Sequence, residues 1–342
     1  MKQSIILLAL VLTINLSAQD NSYKYYKHLV FRETPYSLIK GRIEIPKERT
    51  EKENHYKLTY DSSNNLILIE YLFGDKQINR RRAGIMDGFR NIYSKTAIKY
   101  VGNLEIRTFY NSKGVQCNNT MNVYKEVYEY NKEGEKIGVK FYDKTGDLTN
   151  NTWNIAEYTW KKTNDFDIIE KRKDKRGNYV SMRPYYYFMT TLYKYTEKGI
   201  LISMNNIDEN GNLINDFDDL TGIALDKAEY DENFNLIGFR FYNANQEPVI
   251  GSFLESAGGK IEYDENGNCI KYATININGD LMLSRGKAYD RYKFDVFGNN
   301  IEFAHYGINN KLVEYRGYTK TKFIYDSNKP FKKGKVKRSH LK

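Results

Sequence analysis

The chain has 342 residues, and its 53 Lys and Arg against 43 Asp and Glu give a formal net charge of +10. Tyrosine is the compositional outlier, with 31 Tyr and 17 Phe against 5 Pro, 4 His and 2 Cys. These counts exclude collagen-like and disulfide-stapled proteins, and they leave little material for a Cys/His metal site. The apolar fraction of 40% is sufficient for a folded core.

The first residues are typical of a signal peptide. Met1 and Lys2 give a positive start, residues 5–16 form a short apolar run, and Ala18 supplies the small residue before a cleavage site. We therefore expect residues 1–18 to be a signal peptide and the protein to be exported, to the periplasm, the cell surface or the medium. A retained N-terminal anchor is the alternative. No second apolar run follows, so the mature chain is not expected to span a membrane.

Residues 19–55 do not follow the pattern of the rest of the chain. Tyr23, Tyr25, Tyr26 and Phe31 suggest a strand in this segment. An uncovered strand edge invites aggregation, so we expect these residues to form an N-terminal cap on the open end of the following array.

A repeat occupies residues 56–328. Its clearest unit begins Tyr-Asp-Glu-Asn-Phe-Asn at Tyr230, and related units begin at Tyr130, Tyr263 and Phe294. Most successive units start 30 to 35 residues apart. Weaker copies begin at Tyr60, Tyr100, Trp160 and Tyr195, with a partial copy at Tyr325. A near-constant period of this length indicates a repeat architecture in place of the two domains that chain length alone suggests.

Each unit predicts a β-hairpin. An Asp or Asn starts each tight turn because it can bond the backbone, and Gly or Asn accepts the positive φ of the turn. A second turn follows, as at residues 143–148, 208–213 and 276–281. Apolar residues alternate after the first turn, as in Ile137, Val139 and Phe141. The fold class is therefore all-β, with tandem antiparallel β-hairpin repeats of period about 30–35 stacked into an elongated or spiralling sheet.

The pattern resembles the tyrosine-rich bacterial repeats of the YD/RHS class and the variant MORN-type repeats. The residues that carry the resemblance are the Tyr-Asp-x-x-Gly-Asn turn of residues 263–268 and the Phe-Tyr-Asp-x-x-Gly-x-Leu turn of residues 141–148. The unit here is longer than in the YD class, and no toxin or peptidase-like module is attached. The resemblance implies shells, adhesive surfaces or protein-binding scaffolds, and it carries no activity of its own.

Two irregularities of the repeat are candidate binding sites. Residues 75–97 form an insertion that contains Arg80, Arg81 and Arg82, which suggests either a basic binding loop or a packed surface loop.

The second irregularity is the unit that begins at Trp160. It contains a run of cations, followed by Arg183 and the consecutive aromatics Tyr185, Tyr186, Tyr187 and Phe188. These residues form either a platform for a glycan, a peptide or a single nucleic-acid strand, or a strand buried on both faces beside a solvated turn.

Residue types give little support for catalysis or metal binding. The Asp- and Asn-rich loops at 208–212 and 264–268 lack the glycine position and the bidentate Glu of an EF-hand, so we interpret them as turns. The four His form no spaced set, and His305 falls in an apolar row, which favours a packed side chain. We expect no metal and no cofactor, and two separate thiols at Cys117 and Cys269.

Most of the excess charge belongs to the C-terminus. Residues 329–342 hold seven cations and no acid, and Lys2 lies in the signal peptide, so residues 19–328 carry a net charge of only +2. The body therefore gives no reason to expect polyanion binding. We expect a disordered basic tail, and either a solubilising role for it or a weak contact with an anionic surface.

The leading hypothesis is a non-enzymatic binding or scaffold protein that contacts protein or glycan at the cell envelope, without specific nucleic-acid binding. The alternatives are a carbohydrate-active enzyme or lectin-like module, and an immunity or antitoxin-like repeat protein.

Overall fold

The computed structural model describes residues 21–79, 94–182, 186–216, 222–252, 255–326 and 329–340, without the side chains of 326 and 329–334. The expected signal peptide lies outside these residues. The strands are β1 (Ser22–Leu29), β2 (Gly41–Glu44), β3 (Asn54–Tyr60), β4 (Leu66–Phe73), β5 (Lys76–Gln77), β6 (Lys95–Val101), β7 (Leu104–Tyr110), β8 (Lys125–Tyr130), β9 (Lys136–Tyr142), β10 (Glu157–Lys162), β11 (Asp167–Lys173), β12 (Thr191–Tyr195), β13 (Leu201–Asn206), β14 (Leu225–Tyr230), β15 (Leu236–Tyr242), β16 (Gly258–Tyr263), β17 (Cys269–Ile275), β18 (Tyr289–Phe294), β19 (Asn300–Tyr306), β20 (Lys320–Asp326) and β21 (Lys329–Ser339).

The strands form one antiparallel sheet of successive hairpins, which confirms the predicted fold class. From β3 onward, each main strand pairs with the next along the chain, and β5 forms a small extra hairpin with β4. The sheet is open, because in the described ranges its end strands β2 and β21 pair only with β1 and β20, respectively.

The turns form as their residue types predict. In the hairpin of β14 and β15, Asp231 Oδ1 accepts the backbone N–H groups of Asn233 and Asn235 at 2.9 and 2.8 Å. Phe234 takes the positive φ of this turn, at 60°. Most hairpins are followed by a second turn. A third short segment then forms a bridge back to the preceding strand, as Leu148 does to Tyr142. The strand–turn–strand–turn–segment unit is therefore confirmed.

Alternation along the strands separates an inner face from an outer face. In β9, Val139 and Phe141 are buried in the main core cluster, whereas Ile137, the first residue of the predicted apolar row, is 36% exposed. On the outer face of the same strand, Lys140 is exposed. Apolar burial is thus concentrated on the inner face, as expected for a sheet with one core side.

The sheet coils so that residues 27–54, which we call the axial segment, contact hairpins far along the chain. Tyr36 packs its ring 5.4 Å from that of Trp160, and Ser37 is hydrogen-bonded to the Tyr195 hydroxyl. Further along, Arg42 Nη2 donates to the Gly267 carbonyl at 3.1 Å. The right-handed twist between neighbouring strands accumulates over many hairpins and produces such a coil.

The N-terminal residues therefore do more than the predicted cap. Strand β1 does extend the sheet at its start, by pairing with β3, but the axial segment continues beyond it and contacts later hairpins. Its helix α1 (Lys47–Thr50) is a single turn, and among the described residues no helix is long and apolar enough to cross a membrane.

The expectation of a disordered C-terminal tail is wrong for most of its length. Residues Lys329–Ser339 form β21, which pairs with β20 in a register that places Arg338 opposite Thr321. Backbone pairing to an available strand edge does not require apolar side chains, so a lysine-rich segment can extend the sheet.

Candidate functional site

Of the predicted binding residues, the structure describes Tyr186, Tyr187 and Phe188. Arg80, Arg81 and Arg82 of the insertion, and Arg183 and Tyr185 of the second irregularity, lie outside the described residues. Tyr186 is buried, with its hydroxyl donating to Asp226 Oδ2 at 2.9 Å, and Phe188 is fully buried against it. These two side chains belong to the core, so the platform hypothesis is wrong for them, although they precede β12 and Tyr187 between them is only partly buried.

Tyr187 is different, because it points away from that core. It lines a surface pocket of about 290 Å³ that we call the aromatic pocket. The lining residues are Trp153, Asn154, Tyr179, Val180, Ser181, Tyr187 and Met189. Tyr179 is 57% exposed and Met189 is 39% exposed, so large apolar groups remain accessible there.

Local turn chemistry positions the two walls of the aromatic pocket. Asn151 Oδ1 accepts the backbone N–H groups of Trp153 and Ile155 at 2.8 and 3.1 Å, which fixes the turn that presents the indole. Tyr179 stands on the third segment of its unit, which bridges back to Lys173 at the end of β11. Both walls are therefore held by the repeat scaffold.

Cations flank the exposed ring of the pocket. The Nζ atoms of Lys173 and Lys171 lie 5.2 and 5.9 Å from the centre of the Tyr179 ring, within cation–π range. Asn154 and Ser181 add polar groups that can hydrogen-bond a ligand. An open aromatic wall with a few polar groups suits a partly apolar ligand that carries hydroxyl groups.

A buried ion pair occupies the interior behind this pocket. Glu170 and Arg172 have no exposed side-chain surface, and Arg172 Nε donates to Glu170 Oε1 at 2.6 Å. Arg172 also donates to the Phe188 carbonyl at 2.9 Å and to Thr191 Oγ1 at 2.6 Å. The other Glu170 oxygen accepts from Trp160 Nε1 at 2.7 Å and from Thr34 Oγ1 of the axial segment. This carboxylate therefore has a structural role.

A second buried cluster lies on β7, β8 and β9. Arg107 lies 2.5 Å from Glu105, and the Tyr130 hydroxyl donates to the other oxygen of that carboxylate. Burial opposes ionisation of Glu105, but the cations of Arg107 and Lys136 outweigh it and hold its pKa at about 2. For Lys136, burial dominates and lowers its pKa to about 7.

His305 is a packed side chain, as the sequence predicts. It is 3% exposed, its Nδ1 lies 2.6 Å from Asp290 Oδ1, and its ring packs 5.2 Å from that of Tyr315.

The calcium-like loops are turns, since the Oδ1 atoms of Asp208 and Asp264 accept backbone N–H groups. Among the described residues, no three His, Cys, Asp or Glu side chains are placed to hold a metal ion. Cys117 and Cys269 are free thiols, as expected.

A polar groove of about 490 Å³ forms where α1 meets the turns of later hairpins. Lys27 Nζ and Arg49 Nε both lie 2.5 Å from the Glu53 carboxylate. Arg49 also donates to Asn266 Oδ1 at 2.9 Å, across 217 residues of sequence. The polar groups of this groove therefore fix the axial segment to the array.

No family model matches the chain, and no curated protein is significantly similar to it.

Proposed function

We propose that this chain is an exported, non-enzymatic binding protein of the cell envelope, and that it contacts a glycan through the aromatic pocket. The observation that carries the proposal is the exposed ring of Tyr179, which stands with Trp153 and Tyr187 around one surface pocket. Aromatic rings offer flat apolar faces to the C–H groups of a sugar ring, while nearby amides and hydroxyls bond its oxygens.

The interior supports a binding role over a catalytic one. Glu170 and Glu105 are the kind of buried carboxylates from which a glycosidase could be built, but each is held in an ion pair on the inner face. A general acid needs a raised pKa to carry a proton at neutral pH, whereas that of Glu105 is lowered to about 2.

The test is a glycan array followed by calorimetry with the best glycan found. We expect Tyr179→Ala to weaken binding by at least about tenfold, as expected when one central aromatic contact is lost. Tyr23→Ala is the matched control, because Tyr23 is also an exposed tyrosine beneath a lysine, with Lys57 Nζ 4.7 Å from its ring centre. This control should bind as the unaltered chain does.

Three results would contradict the proposal. The first is the absence of any glycan that binds, and the second is equal loss of binding in the two tyrosine variants. The third is turnover of the bound glycan that disappears on substitution of one carboxylate, which would identify a carbohydrate-active enzyme. Export itself is tested by N-terminal sequencing of the mature protein, which should begin at Gln19.

A further inference from the structure

The outer face of β14 to β18 is strongly basic, although the body of the chain is nearly neutral. The register of these five strands places six cations and two carboxylates on their outward positions. The cations are Lys227, Arg240, Lys260, Lys271, Arg291 and Lys293, and the carboxylates are Glu229 and Glu262. We call this surface the basic face.

The fold creates this imbalance by using carboxylates elsewhere. Asp226 and Asp290, on the inward side of β14 and β18, are buried. Asp231 and Asp264, in the turns, accept backbone N–H groups at the end of the sheet. In this part of the sheet, the inward and turn positions thus hold carboxylates, whereas the outward positions hold mostly cations.

Two pairs of like charges stand directly opposite each other on this face. Lys227 is the register partner of Arg240, and Lys271 is the partner of Arg291. Like charges at opposed positions of an antiparallel pair are destabilising. The two pairs are three strands apart, or about 14 Å at the usual strand spacing.

The charges of the basic face are mostly uncompensated. Lys271 pairs with Glu262 at 2.6 Å, and Lys293 pairs with Glu302 at 3.3 Å. Within the described ranges, no carboxylate lies within ion-pair distance of Lys227, Lys260 or Arg291. Lys260 Nζ donates to the Gly279 carbonyl at 2.9 Å, which secures a turn but leaves the positive charge in place. A surface of this kind attracts an anionic partner.

The tyrosines on this face disfavour base stacking. Lys227 lies 4.8 Å from the centre of the Tyr242 ring, and Arg291 lies 5.7 Å from that of Tyr289. Tyr289 is also buried, with its ring stacked 4.9 Å from that of Tyr306. Binding of a nucleic-acid single strand depends on open aromatic faces, which these rings do not provide.

We propose that the basic face binds an acidic polysaccharide, whose carboxylate or sulfate groups pair with Lys227, Lys260 and Arg291. The array of cations extends across several strands, so it fits a linear polymer with charges at intervals better than a single small anion. The site is separate from the aromatic pocket, which is built from residues 153–154, 179–181, 187 and 189. The inference therefore stands independently of the proposed function.

The test measures binding of the full mature chain to polygalacturonate at 50 and 200 mM salt. We expect binding that weakens with salt, and a loss of at least about tenfold in the variant Lys227→Glu/Lys260→Glu/Arg291→Glu. The matched control is Lys132→Glu/Lys144→Glu/Lys175→Glu, which makes the same change in net charge at exposed turn positions and should lose less than about threefold.

Four outcomes would overturn the inference: absence of binding at 50 mM salt, equal losses in the two triple variants, tighter face-dependent binding of single-stranded DNA, and tighter face-dependent binding of anionic lipid vesicles. If the triple variant fails to fold by circular dichroism, Lys227→Gln/Arg291→Gln takes its place. An unchanged affinity in that folded double variant would likewise overturn it.

Discussion

The Nδ2 atom of Asn54 donates a hydrogen bond to the Oδ1 atom of Asn299 at 3.1 Å, across 245 residues of sequence. Beside it, the Asn54 backbone N–H donates to the Phe297 carbonyl at 3.0 Å. Asn54 begins β3, in the first hairpin of the array, and Asn299 ends the turn between β18 and β19. The array therefore coils far enough for its start to meet one of its last hairpins.

A pair of glycines tests how tightly the axial segment is enclosed. Gly134 and Gly267 both have positive φ in first turns, at 79° and 71°. A Cβ atom at Gly134 would meet nothing within 4 Å, whereas one at Gly267 would lie 2.2 Å from Ile43 Cδ1 of the axial segment. The same Cβ atom would also lie 3.2 Å from His28 Cδ2, so two side chains of the axial segment pack against this turn.

We expect Gly134→Ala to lower the free energy of unfolding by about 1 kcal/mol, which is the cost of the backbone conformation alone. Gly267→Ala should lower the free energy of unfolding by about 1–3 kcal/mol more than Gly134→Ala, because overpacking adds to the backbone cost. Urea denaturation of both variants checks this. Equal losses would show that the axial segment is not packed against this turn.

The buried pair of Glu170 and Arg172 should be intolerant of single substitutions. Arg172→Met leaves the Glu170 carboxylate buried without its cation, so we expect a loss of about 3–5 kcal/mol. The double variant Glu170→Gln/Arg172→Met removes both charges and should be less destabilised than Arg172→Met alone. Unfolding followed by tryptophan fluorescence measures the stability of both variants, since the Trp160 indole bonds Glu170. If the double variant is less stable than Arg172→Met alone, the buried pair does not act in this way.

Glu105 should make the free energy of unfolding depend on pH in the acid range. Its folded-state pKa of about 2 lies below the ordinary 4.5, so its contribution is complete above pH 4.5 and is lost as the pH falls towards 2. This lowering of the pKa on folding corresponds to about 3 kcal/mol of folding free energy. Unfolding measured from pH 6 to pH 2 should show a shallower acid loss in Glu105→Gln than in the unaltered chain. Glu133→Gln, in an exposed turn, should leave the profile unchanged, and an identical slope in all three proteins would refute the assignment.

The hairpin repeat could be predicted from the sequence because its causes are local. Asp231 and its equivalents bond backbone groups two and four residues ahead, so the turn is specified within five residues. Strand alternation is also local, and it separates the buried Val139 and Phe141 from the exposed Lys140. The same alternation could have identified the buried pairs, since Glu105 with Arg107 and Glu170 with Arg172 share a Glu-x-Arg spacing on strands.

The path of the axial segment could not be predicted, because its contacts join residues more than a hundred positions apart. Nothing near Thr34 in the sequence points to Glu170, and nothing near Arg42 points to Gly267. The basic face cannot be read from the net charge for a related reason. Net charge sums over all residues, whereas register and strand direction decide which side of the sheet each charge occupies.

The coil of the array around the axial segment can be tested directly by distances between residues far apart in the sequence. Lys40 donates from its Nζ to the Lys198 carbonyl, so the two lysines are neighbours although they are 158 residues apart. A short amine-reactive cross-linker followed by mass spectrometry should give a link between Lys40 and Lys198 that disappears in Lys40→Arg. Cross-links confined to sequential hairpins, with none from the axial segment to residues beyond 190, would contradict the coil.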